Sequence, residues 1–264
     1  MIAVIGGTGV YNPYFLTNPS SDSITTPFGT VQFNYGTIEN TPVYFMTRHG
    51  GKHSTPPHLI NYRGNIWALK KLGVQKIFAT AAVGSLKESI LPGSFVVIND
   101  FIDLTHGREN TFFVGGEKSS VLHLDCSNPY CENLRDILLS NTTILHQTVH
   151  ENGTYVCTQG PRYESKSEVK MMSNIGGAVV GMTGLPECIL AREAEICYAT
   201  IALVTNHATG IANHQLTFEE VKIMMQEKTT ILQQILMNSI KDAIKQKNNC
   251  NCNNAAYEVG GFKF

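Results

Sequence analysis

Short apolar runs rich in β-branched residues recur along the chain: IAVIG at 2–6, TPVYFMT at 41–47, KIFATAAV at 76–83, SFVVINDFI at 94–102, AVVGMTG at 178–184 and ATIALVTN at 199–206. Runs that are apolar at consecutive positions fit strands buried on both faces of a sheet. Stretches with helical spacing lie between several of them. Residues 58–72 carry Ile66, Leu69 and Leu72 on one face and reach Gly73, which suits a C-cap. Residues 185–195 place Pro186 in a first turn, where its missing donor does no harm. Thr217 and Glu220 make a capping pair, and Val221, Met224, Met225, Ile231, Leu232, Ile235, Leu236, Ile240 and Ile244 then keep three-four spacing.

Strands alternating with helices predict a single α/β domain over residues 1–246. VQFNYGTI at 31–38 and TPVYFMTR at 41–48 read as a hairpin, which makes the sheet mixed. Residues 247–264 are rich in Asn and without periodicity, and are expected to form a disordered tail.

Lys+Arg number 20 against Asp+Glu 21, so there is no overall basic character to recruit nucleic acid or a membrane surface. No apolar run approaches a membrane span and the amino terminus lacks a signal-peptide pattern, so a soluble cytoplasmic protein is expected. The seven cysteines, odd in number and irregularly spaced, read as reduced thiols. Cys250 and Cys252 form a C-x-C pair, but two ligands cannot close a structural zinc site, and no metal is expected.

Against this neutral background TRHGGKHSTPPH, Thr47 to His58, concentrates cationic and donor side chains with no acidic residue. Arg48 and His49 follow a strand, and open α/β sheets place ligands at strand carboxyl ends. Arg48 offers a planar fork matched to phosphate oxygens. GGTG at 6–9 follows the first strand and turns backbone donors toward an anion, with Thr8 adding a hydroxyl. It lacks the third glycine of a dinucleotide fingerprint, which weakens the rival reading as a Rossmann dehydrogenase. Two more strands end in small-polar turns, ATAAVGS at 79–85 and GMTGLPE at 181–187, the second presenting Thr183. Several strand ends with donors indicate one shared anion site.

GGTG, TRHGGKH, NYRGNIWALKKLG, AVGSL, LPGSFVVINDFIDLT, TQGPRYES, GMTGLPE and LAREAEICYATIALVTN, in this order over about residues 1–245, resemble the trimeric purine nucleoside phosphorylases and methylthioadenosine phosphorylases. The resemblance implies the single-domain nucleoside phosphorylase fold, a mixed twisted sheet surrounded by helices. It implies a phosphate site at Thr8, Arg48, His49, the backbone at Ala81 and Ala82, and Thr183, with Met182 against the ribose. Inorganic phosphate is then a co-substrate and no cofactor is required. A homotrimer is implied too, with His123 at the neighbour's 5′ pocket.

The resemblance places Glu164 and Asn206 against the base, with Tyr163 nearby; Glu164, Asn206 and His49 are the catalytic candidates. A carboxylate at Glu164 accepts the N1 proton of a 6-oxopurine and repels the bare lone pair of adenine. Asn206 can donate to the 6-oxygen and accept from protonated N7. Methylthioadenosine phosphorylases carry Asp at the Asn206 and Ala208 positions and Thr at Ala81, so three positions depart from that subtype. Phe218 and Val221 form an apolar wall where ordinary members place a His for the 5′-hydroxyl. The expected activity is phosphorolysis of 6-oxopurine nucleosides, 5′-methylthioinosine or inosine and guanosine, to free base and the sugar 1-phosphate. The alternatives are a methylthioadenosine phosphorylase and, outside enzymes, a nucleoside-binding sensor.

Overall fold

The computed structural model describes residues 1–7, 16–50, 54–116, 120–211, 217–247 and 249–264. At its centre β1 (Ile2–Gly6) runs parallel between β4 (Thr41–Thr47) and β5 (Lys76–Ser85). Successive side chains of a strand point to opposite faces. Ala3 and Ile5 accordingly enter one hydrophobic core, and Ile2 and Val4 the other. This two-sided burial is why the run is apolar at every position.

β3 (Gly29–Ile38) and β4 form the expected antiparallel hairpin. Its turn residues Glu39 and Asn40 both have positive φ (48° and 61°), as a two-residue hairpin turn with the right twist requires. β2 (Thr17–Thr26) adds an edge strand. Its sequence, TNPSSDSITT, is polar and almost wholly exposed, so no hydrophobic period marks it.

β11 (Cys197–His207) lies parallel to β5 along its whole length. The expected strand at 94–102 is instead two, β6 (Phe95–Val97) and β7 (Asp100–Asp103), with different partners. β6 pairs antiparallel with β11, whereas β7 pairs parallel with β9 (Thr154–Cys157). The chain changes partner at Ile98, whose N–H still reaches Thr200 O (3.1 Å), and at Asn99, whose side chain accepts from Gly153 N (2.8 Å). β10 (Val179–Gly181) joins β9 to the end of β5, and β8 (Val149–His150) flanks β6.

The pairing of β5 opens the functional cleft. β1 accompanies β5 only as far as Ala79, and β10 meets it at Gly84 and Ser85. Among the described residues, 80–83 therefore have β11 on one edge and no strand on the other.

α1 (Tyr62–Lys71) starts later than the sequence pattern implies, because 57–59 form a 3-10 turn and Asn61 caps Gly64 N (2.9 Å). α1 packs on α4 (Glu187–Glu193) on one side of the sheet. On the other side α2 (Glu132–Ile144) packs on α5 (Phe218–Lys245). Thr217 caps α5 through Glu220 N (3.3 Å), and Val221, Met225, Leu232, Ile235 and Ile240 are buried as their spacing implies.

Residues 249–264, where a disordered tail is expected, contain two 3-10 turns and lie against the domain. Cys252 and Ala256 are buried. Backbone N–H groups of Ala256 and Phe262 donate to the Glu195 carboxylate (3.4 and 3.2 Å). The Phe262 ring lies 5.0 Å from that of Phe112, and Phe264 lies 5.3 Å from Trp67. The anchors are apolar but irregularly spaced, so no period announces them.

Candidate active site

Arg48 leaves the end of β4 and turns inward. Its Nε and Nη2 donate to the two carboxylate oxygens of Glu187 (2.7 and 2.6 Å), and Nη1 donates to Thr80 O (3.0 Å). Arg48 and Glu187 are only 4% and 0% exposed. Tyr198 adds a hydroxyl donor to Glu187 (2.8 Å). Burial alone would lower the guanidinium pKa, but the Glu187 charge and hydrogen bonds outweigh it and hold Arg48 above its ordinary value.

Gly7 lets β1 approach this pair. A Cβ there would lie 2.9 Å from Arg48 Nη1 and 3.0 Å from Thr80 O. The Gly7 N–H donates to Thr80 Oγ1 (3.0 Å), fixing the turn against the open edge of β5. Ala81 and Ala82 follow on that edge and line the same cleft. His49 is buried, with Nδ1 2.9 Å from Thr55 O. Thr8 lies outside the described residues.

Thr183 closes the group from β10. Its N–H donates to the Tyr155 hydroxyl (3.3 Å). Tyr155 is fully buried against Gly181, where any Cβ would strike the phenol oxygen. Burial pushes the Tyr155 hydroxyl above its ordinary pKa, so it stays a neutral positioning group.

The cleft, about 510 Å³, continues from this donor-rich end to a second group of polar side chains. Glu164 is buried and accepts a hydrogen bond from Thr158 Oγ1 at one oxygen (2.7 Å). Asn206 is buried at the end of β11, where the register with β5 shifts between Val204 and Asn206. Bulges of this kind re-aim side chains beside active sites. Thr205, within the shift, donates its one hydroxyl proton to Asn206 Oδ1 (2.7 Å), with Val83 O also within 3.2 Å, while Asn206 Nδ2 donates to His207 O (2.9 Å).

Tyr163, 40% exposed, stands at the rim, and Met182, Ala208, Phe218 and Val221 form apolar wall. The cleft thus gathers every described candidate except His123, which is exposed and does not line it. A guanidinium and strand-end donors at one end, and a carboxylate with an amide at the other, suit a ligand carrying an anion next to a hydrogen-bonding heterocycle.

Residues 1–241 match the phosphorylase superfamily. The chain belongs to that family. This phosphorylase is 48% identical over 257 residues to the "Probable 6-oxopurine nucleoside phosphorylase" of Dictyoglomus turgidum, covering 97% of each chain. It is 46% identical to the "Probable S-methyl-5′-thioinosine phosphorylase" of Methanothermobacter thermautotrophicus, covering 97% of this chain and 88% of that one. Among solved structures, the methylthioadenosine phosphorylase of Schistosoma mansoni in complex with adenine superposes with a TM-score of 0.91 at 33% identity, covering 98% of this chain and 96% of that one.

The phosphorylase also holds residues that sequence reasoning missed. Glu187 stands in the quoted GMTGLPE motif, yet nothing local shows that it pairs with Arg48. Thr158, Tyr155 and Thr205 position Glu164, Thr183 and Asn206 respectively. Arg108 donates to Tyr62 Oη (3.2 Å), Gln159 O (2.9 Å) and Leu185 O, tying its loop to two strand-end segments.

Proposed function

We propose that this phosphorylase cleaves 6-oxopurine nucleosides with inorganic phosphate, releasing the base and a sugar 1-phosphate, and that 5′-methylthioinosine is its preferred substrate over inosine and guanosine. The observation that carries the reading is the pairing of Glu164 with Asn206 at one end of a cleft whose other end holds Arg48, His49 and Thr183. The names of the two relatives agree with it.

Phosphate sits at the donor-rich end, against Arg48, His49, Thr183 and the open edge at Ala81 and Ala82. One of its oxygens bonds to C1′ as the C1′–N9 bond breaks; the electron pair leaves with the base, which takes up, by way of solvent, the proton that hydrogen phosphate gives up. Holding phosphate against the anomeric carbon supplies proximity, and its charge stabilises the cationic sugar. Met182 packs on the ribose.

Glu164 has one oxygen engaged by Thr158, which leaves the other to accept N1–H of a 6-oxopurine. Asn206 has one N–H engaged by His207 O and one Oδ1 lone pair by Thr205, leaving one donor for the 6-oxygen and one acceptor for protonated N7. Adenine offers neither N1–H nor a 6-oxygen, and the departures at Asn206 and Ala208 oppose a methylthioadenosine phosphorylase. Phe218 and Val221 favour a methylthio group over a hydroxyl at the 5′ position.

The same reading includes a homotrimer, with His123 reaching a neighbour's 5′ pocket. Apolar side chains left exposed at Leu59, Val121 and Phe218 support burial by another copy. Among the described residues no helix is long and apolar enough to cross a membrane. Measuring base release from inosine, 5′-methylthioinosine and their 6-amino counterparts, with sedimentation of the active species, tests the assignment. Efficient turnover of the 6-amino substrates, or a fully active monomer, refutes the corresponding part.

A further inference from the structure

The sequence counts two thiols in the C-x-C pair, but the fold supplies four. Cys131 stands at the N-cap of α2, its N–H donating to Tyr198 O (2.8 Å). Cys197 opens β11, where its N–H donates to Gln75 O (3.0 Å). Lys76, paired with Cys197 across the sheet, donates through Nζ to Ala243 O (2.7 Å) and Gln246 O (3.0 Å). That contact ends α5 beside the start of β11 and delivers Cys250 and Cys252 to the same point. The four Sγ atoms lie within 4.8 Å of one another, and Cys131, Cys197 and Cys252 are buried.

We propose that Cys131, Cys197, Cys250 and Cys252 form a tetrathiolate site for one zinc ion, or a cation of the same soft divalent class, that fastens the C-terminal segment to the sheet. Tetrahedral Zn–S bonds of about 2.3 Å set neighbouring sulfurs about 3.8 Å apart. The Cys197 and Cys250 sulfurs are 3.5 Å apart, close to that edge and far beyond the roughly 2.05 Å of a disulfide. Binding exchanges thiol protons for the cation, with no change of oxidation state, and leaves the centre with two negative charges. The amino end of α2, with Cys131 at its cap, faces that charge. Arg192 lines the adjoining cleft, and so does Asn133, whose Nδ2 is buried without a hydrogen-bond partner and can donate to a thiolate.

The staple has a structural reach. Beyond Cys252 the segment covers Phe112 and Trp67, and Phe112 N and Thr111 Oγ1 donate to Glu193 (2.8 and 2.6 Å). The loop bearing Arg108 is therefore held partly by the segment that the four thiols fasten.

The test uses the full chain, produced with zinc and purified under reducing conditions, and reads metal content by elemental analysis after dialysis against a weak chelator. One zinc per chain is expected, released when a mercurial blocks the thiols. Cobalt in its place should show the intense visible absorption of a tetrahedral thiolate site. The double variant Cys250→Ser/Cys252→Ser, altered only in the docked segment, should lose the metal and become cleavable by protease near residue 250, whereas Cys126→Ser should keep it. Metal-free protein under these conditions, equimolar metal in the double variant, or an intact mass showing two disulfides among these four residues would overturn the proposal.

Discussion

Arg48 and Glu187, 139 positions apart in the chain, meet as a two-pronged ion pair with both side chains removed from solvent. Breaking a buried pair by truncating one partner costs about 3–5 kcal/mol, because the other charge is left uncompensated. Arg48→Ala and Glu187→Ala should each lower unfolding stability by an amount of that order. Arg48→Met with Glu187→Leu should fall well short of their sum, and denaturant unfolding of the three variants checks this. Additive effects would mean that the two side chains do not act as a unit.

In the proposed phosphorolysis the same pair orients the guanidinium for phosphate. Glu187→Gln keeps the shape and removes the charge, and should reduce phosphate-dependent kcat/KM at least tenfold, on the order of the 1.5–3 kcal/mol of one charge-assisted hydrogen bond. Initial rates across phosphate concentration read the change. A variant with normal phosphate dependence would remove the pair from the anion site.

The base pocket gives a specificity prediction. Asn206→Asp with Ala208→Asp should raise activity on 6-amino nucleosides relative to 6-oxo ones, and adding Glu164→Gln should raise it further by removing the carboxylate that repels a bare N1. Sites that hydrogen-bond a substrate group reject analogues lacking it by about four orders of magnitude, so the parent protein should discriminate strongly. The ratio of kcat/KM for adenosine and inosine measures both effects.

Val221, proposed to face the 5′ substituent, is buried in the cleft wall at the first turn of α5. Val221→His supplies a donor for a hydroxyl, so it should shift the ratio of inosine to 5′-methylthioinosine efficiency toward inosine by about tenfold, the equivalent of roughly one hydrogen bond. An unchanged ratio would place the 5′ group elsewhere.

A pH effect follows from α3 (Lys166–Asn174). Hydrogen bonds from Arg162 and from Ser165 N hold the Glu168 carboxyl at about 2, below its ordinary 4.5. Its contribution is present above the unfolded pKa and is lost as pH falls from about 4.5 toward 2. Glu168→Gln should therefore lower stability near neutrality and flatten the acid limb of a thermal unfolding series, the two proteins converging as pH approaches 2. Identical acid limbs would contradict the linkage.

Much of the architecture was legible because burial on both faces of β1, β5 and β11 forces continuous apolar runs, and because Thr217 and Glu220 mark a helix start in plain chemistry. The strand ends bearing Arg48 and Thr183 were legible for the same reason. What stayed hidden depends on distance in the chain. β2 is an edge strand that buries little, and the 94–102 run gives no sign of changing partners at Ile98 and Asn99. The pairing of Arg48 with Glu187, and of Cys131 and Cys197 with the C-x-C pair, exists only once the sheet is assembled.

Phosphate-dependent cleavage of a 6-oxopurine nucleoside is the activity proposed for this cleft. Following hypoxanthine release from inosine and 5′-methylthioinosine with and without phosphate tests it most directly. Release from both is expected only when phosphate is present, with stoichiometric sugar 1-phosphate and a higher kcat/KM for the methylthio substrate. Equal release in phosphate-free buffer, with free sugar as the product, would contradict it.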